Sequence, residues 1–149
     1  MPRFGVTPAW SRVVSALGLV AILAWPQVGV AEGALAIGLP GDVANEGVAI
    51  GWVINSDSEG TAHERALRGC LDFKDAPANT RALCRVIKTF RGECIAIAID
   101  PESGTPGVGW AVAISMQAAE TDALAACART AGAARQQYCR VTVLRCDGK

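Results

Sequence analysis

The sequence contains one histidine and one tyrosine, and neither charge sign is in surplus, with 14 Lys and Arg against 14 Asp and Glu. Each scarcity excludes something. Without a basic surplus there is no electrostatic footprint for a phosphate backbone, so nucleic acid is not an expected partner. Aromatic residues make up 5% of the chain, and Phe73, Phe90 and Tyr138 are few rings with which to stack a base or a sugar. One histidine beside six cysteines is a thin ligand set for zinc, and no metal or cofactor is expected. No C-x-x-C motif occurs, so the arrangement that lowers a thiol pKa in oxidoreductases is missing. The apolar run Val13 to Trp25 falls short of the roughly 20 residues that a spanning helix needs. With 19% charged residues the chain is still too apolar for disorder.

What is present begins with an address. Arg3 and Arg12 precede the apolar run, Pro26 ends it, and the small residues of Val28-Gly29-Val30-Ala31 follow. Basic, apolar, then small is the layout of a secretory signal peptide over residues 1–31. Cleavage is expected between Ala31 and Glu32, with Gly29 at the −3 position. The first cysteine is Cys70, so no lipid attachment at the new terminus and no stable membrane anchor are expected. Loss of the leader takes two arginines and no acid. It leaves 118 residues with 12 basic and 14 acidic groups, net −2. All six cysteines stay, and an even number in an exported chain implies an oxidising compartment, periplasmic or extracellular.

The mature chain reads as one unit written twice. Ala34-Leu35-Ala36-Ile37 resembles Ala96-Ile97-Ala98-Ile99, sixty-two positions on. Gly47-Val48 and Ile54 match Gly107-Val108 and Ile114 at sixty. Ala66-Leu67 and Cys70 match Ala123-Leu124 and Cys127 at fifty-seven, and Cys84-Arg85-Val86 matches Cys139-Arg140-Val141 at fifty-five. The falling offset means shorter loops in a second copy. The halves are about 32–91 and 92–149, together one exported domain.

Each half carries the same elements. A period of two at Leu35 and Ile37 marks a strand, and Leu39-Pro40-Gly41-Asp42 breaks it. A second strand sets Val48, Ile50, Trp52 and Ile54 on one face and Ala49, Gly51 and Val53 on the other. Its counterpart opposes Val108, Trp110, Val112 and Ile114 to Gly109, Ala111 and Ala113. A helix follows, with Ala62, Ala66, Leu67, Cys70 and Leu71 on one face, and with Ala119, Ala123, Leu124 and Cys127 in the second half. Ser58 or Thr61 and Ser115 are candidate N-caps. Third strands are expected near Cys84–Phe90 and Cys139–Arg145. The Ala/Gly face admits a closely packed helix, whereas the Val/Ile/Trp face is too apolar to stay wet. The predicted fold is α+β: duplicated β-β-α-β units, antiparallel sheets, two helices outside. Two stacked sheets are the economical form, and a single six-stranded sheet is the alternative.

Six cysteines allow fifteen connectivities. The duplication prunes them. Cys70 with Cys84 and Cys127 with Cys139 would staple helix to third strand in both halves, leaving Cys94 for Cys146.

The chemical candidates are sparse. A nucleophilic site would have to use His63, with Ser56, Ser58 and Asp57 as neighbours, yet the helix pattern puts His63 on the solvent face. The glycine-rich stretch Gly104–Gly109 leads into a strand, whereas a phosphate cradle leads into a helix. Asp57, Glu59, Asp72, Asp75, Asp100 and Glu102 lack the alternating spacing of a calcium loop. Arg81, Arg85, Arg91, Arg135 and Arg140 flank the third strands as ordinary surface or a basic edge. No catalytic residue is assigned.

Phe90-Arg91-Gly92-Glu93-Cys94-Ile95-Ala96, Gly107-Val108-Gly109-Trp110 and the doubled Ala-Leu-x-x-Cys…Cys-Arg-Val carry a resemblance. They resemble a family of small exported bacterial proteins catalogued as a domain of unknown function, DUF family 4189. The resemblance spans essentially the whole mature chain. It departs at Gly92, where asparagine is the commoner residue, and in a longer Lys74–Arg81 loop. It supplies no catalytic residues, and it implies that a secreted factor acting on host or neighbouring cells is one role open to the chain. The first expectation is a non-enzymatic, disulfide-stapled export module that binds a protein or envelope component. A small hydrolase with a site near His63 is the alternative from another class.

Overall fold

The computed structural model describes residues 31–148. The leader expected over 1–31 therefore lies outside the described residues, apart from Ala31. The elements run β1 (Glu32–Gly38), α1 (Val43–Glu46), β2 (Ala49–Ser56), α2 (Glu59–Leu71), α3 (Ala78–Arg81) and β3 (Arg85–Phe90). The second half repeats the plan as β4 (Cys94–Ile99), β5 (Val108–Ala113), α4 (Met116–Ala131), a short 3-10 turn (Gln136–Tyr138) and β6 (Arg140–Cys146).

Two three-stranded antiparallel sheets result, ordered β2-β1-β3 and β5-β4-β6. The stacked form is the observed one. In each half the first strand is central and its neighbours are edges. Gly92, with φ of 63°, turns the chain from one sheet to the other. Between the sheets Leu35, Ile37, Phe90, Ile95 and Ile97 are buried, flanked by Trp52, Trp110 and partly buried valines and isoleucines. These bulky faces meet because either one alone would expose a large apolar patch.

The opposite faces receive the helices. Ala34, Ala36 and Ala49 pack on Ala62, Ala66 and Cys70 of α2, while Ala96 and Ala98 pack on Ala119, Ala123 and Cys127 of α4. Ser58 and Ser115 cap the helices, each accepting a backbone N–H at 3.2 Å, from Thr61 and from Ala118. At Gly51 a Cβ would drive into the Ala66 carbonyl and the Cys70 amide. At Gly109 it would meet the Ala123 carbonyl and the Cys127 amide. Glycine is what lets the helices lie this close.

Those two contacts also correct the repeat alignment. Gly51-Trp52 corresponds to Gly109-Trp110, an offset of fifty-eight, in place of the sixty that matched Gly47-Val48 to Gly107-Val108. The sheet register agrees, since Ala36 pairs with Gly51 and Ala98 with Gly109.

Disulfides join Cys70 to Cys84 (Cα–Cα 5.9 Å), Cys127 to Cys139 (6.1 Å) and Cys94 to Cys146 (3.9 Å). The first two tie helix to third strand. The last links directly opposed residues of β4 and β6. Loop closures of 14, 12 and 52 residues are each worth about 3–4 kcal/mol in the chain-entropy account, a large share for a core in which eleven of the twenty-three buried apolar residues are alanine.

Candidate functional site

The residues that sequence reading weighed for chemistry do not converge. His63, Asp57 and Ser58 are exposed, while Ser56 is buried and its hydroxyl lacks a hydrogen-bond partner among the described residues. The stretch Gly104–Gly109 closes a hairpin, with the Asp100 N–H donating to the Gly107 carbonyl at 2.9 Å, and then enters β5. Among the described residues no group of three His, Cys, Asp or Glu side chains is placed to hold a metal ion.

Several candidates are instead fastened to the frame. Arg135 donates to Asp100 at 2.5 and 2.9 Å and reaches Glu102 at 2.7 Å, and its guanidinium lies 4.7 Å from the Tyr138 ring centroid. The Arg135 hydrogen bonds hold the Asp100 carboxyl at about 2, against an ordinary 3.8. Arg91 pairs with Glu32, which raises the Arg91 pKa. Arg140 donates to the carbonyls of Gln137 and Cys139, both at 2.9 Å.

A polar knot joins the two halves. Asp147, 1% exposed, accepts from the N–H of Asn55 at 2.7 Å and from that of Gly92 at 3.1 Å. Asn55 in turn accepts from the Gly148 N–H at 2.6 Å, and it adopts φ of 55°, a region that asparagine tolerates better than most residues. This carboxylate is consumed by backbone donors. It is a structural pin.

A larger concave feature lies elsewhere. A cavity of about 650 Å³ opens beside β5, walled by Leu39–Val43 of the first half and by Pro106, Val108, Gly109, Trp110, Ala126, Arg129 and Thr130 of the second. Its size is that of a ligand pocket. The loop Leu39–Val43 is held by α1, whose N-cap Asp42 accepts from the N–H and side-chain amide of Asn45. Those bonds lower the Asp42 pKa. On the other wall Thr130 accepts from the Val108 N–H at 2.9 Å and donates to the Val108 carbonyl at 2.7 Å. Arg129 is exposed and forms no ion pair among the described residues.

Sequence reading missed this cavity. Its one usable signal was Thr130, a hydroxyl at the repeat position where the first half has Phe73.

These features define a class: a duplicated α+β sandwich, stapled by three disulfides, with a walled slot along one free sheet edge. The chain belongs to the family described as Domain of unknown function (DUF4189), which matches residues 33–146. Comparison with curated proteins and with solved structures returned no match.

Proposed function

We propose that this protein is an exported, non-enzymatic binding module whose partner is a protein or a component of the cell envelope. The observation that carries the reading is the β5 cavity, a largely apolar slot whose walls hold no nucleophile–base pair. Its charged wall residues are Asp42, engaged by Asn45, and Arg129, which forms no ion pair among the described residues. The three disulfides fit an oxidising compartment, and no helix among the described residues is long and apolar enough to cross a membrane. Rigid stapling suits recognition, because a pre-ordered surface loses less entropy on binding. The test is chemical cross-linking of the exported protein in intact cells, with mass-spectrometric identification of the adduct and its attachment sites. A reproducible adduct at defined residues supports the module. Turnover of an ester, amide or glycoside by the purified protein, abolished in His63→Ala, would replace this reading with a hydrolase.

A further inference from the structure

The free edge of β5 carries more information than the cavity's size. In the β4–β5 ladder the Asp100–Gly107 bond places Gly107, Gly109, Ala111 and Ala113 toward β4, since donors alternate along a strand. Val108, Trp110 and Val112 therefore turn their N–H and C=O groups outward. Thr130 confirms this phase independently, because its hydroxyl satisfies both groups of Val108 from the outer side. Two residues further on, no such side chain among the described residues meets Trp110, whose outward backbone groups face the slot. Natural sheets cover or blunt such an edge, and this one is walled without being paired.

We infer that the slot beside β5 takes an extended peptide segment of a partner protein, added as a fourth strand to the second sheet, with an acidic side chain of the peptide against Arg129. This deepens the binding-module reading and rests on it. Three observations select the occupant. The unpaired backbone groups of Trp110 call for a complementary main chain, which a strand supplies. Ala126, Arg129 and Thr130, spaced i, i+3 and i+4, form one face of α4 alongside the slot. The guanidinium thus flanks a bound strand and meets its side chain, not its end. Leu39–Val43 stands across the edge, so a second copy carrying the same overhang is kept from pairing its own β5 there. The apolar walls at Leu39, Pro40, Val43 and Trp110 favour β-branched neighbours around the acid, and the wall's one carboxylate, Asp42, is engaged by the backbone and side-chain amides of Asn45.

The experiment uses the exported protein with its disulfides intact. Random decapeptides displayed on phage are selected on it, and the strongest is synthesised with blocked ends and titrated by NMR. The expected result is enrichment of β-branched residues around one Asp or Glu, with slowed hydrogen exchange at the Trp110 and Val112 amides. Replacing that acid by its amide in the peptide should weaken binding on the order of tenfold, and Arg129→Glu in the protein should do the same. A lysine peptide should recover affinity for Arg129→Glu, which separates charge pairing from misfolding. No enrichment, or binding that leaves those two amides unprotected, overturns the inference. So does protection of the same amides by self-association in ultracentrifugation, which would make a second copy the occupant. A cross-linked envelope partner that persists in Arg129→Glu would remove the slot proposal and leave the binding-module reading standing.

Discussion

The Asp100 side chain is fully screened from solvent, and its two oxygens are taken by Arg135. Its pKa when folded is about 2, below the ordinary 3.8, so folding favours the ionised form. The stabilisation is therefore complete above about pH 4 and is lost as pH falls toward about 2. Asp100→Asn should flatten this limb: calorimetric melting temperatures of the variant should fall less steeply between pH 4 and pH 2 than those of the wild type. His63 has no comparable environment. It is exposed on α2, and His63→Ala should change unfolding free energy by no more than about 0.5 kcal/mol in urea titration.

Between elements, contact is decided by very small side chains. Gly51 and Gly109 lie where α2 and α4 cross their sheets, with helix backbone occupying the space of a Cβ. Gly51→Ala and Gly109→Ala should each cost about 1–3 kcal/mol or more, read from denaturant midpoints at unchanged m-value. The halves also differ instructively at one equivalent place. Glu32 and Arg91 stand at the same offsets, sixty-two and fifty-five, from Cys94 and Cys146 as the matched blocks around them. An ion pair in the first sheet thus occupies the position of a covalent bridge in the second. Glu32→Cys combined with Arg91→Cys should form a fourth disulfide, seen as a two-dalton mass deficit and a higher, reductant-sensitive melting temperature. A free thiol pair would show that the two β1–β3 and β4–β6 ends are not equivalent.

The whole molecule is a pair of thin sheets whose bulky faces need each other, each half closed by its own disulfides and the two pinned together by the Asp147 knot. β1 starts at Glu32 and is buried over all seven residues as the centre of its sheet. A cut between Ala31 and Glu32, the site expected from the sequence, would fall flush with the first residue of β1. Intact mass of the exported protein should therefore correspond to 118 residues starting at Glu32. A longer chain retained on membranes would overturn the proposed leader.

Duplication, element order, helix caps and the two unequal strand faces were legible in the sequence, because each is written in local spacing or in matched blocks. The offset of the second strand was not. Alternation has a period of two, so a slip from fifty-eight to sixty leaves every side chain on its proper face and changes no visible pattern. Only the helix backbone pressed on Gly51 and Gly109 reveals the true match. The apolar Val/Ile/Trp faces made stacked sheets the economical form, but local pattern admits one continuous sheet as well. Only the packing of Leu35, Ile37 and Phe90 on Ile95 and Ile97 decided between them. The β5 slot lay furthest from view. Leu39–Val43 and Ala126–Thr130 are ordinary loop and helix in their own neighbourhoods, and they become the walls of one cavity only when packing carries the first half's loop across the second half's free edge.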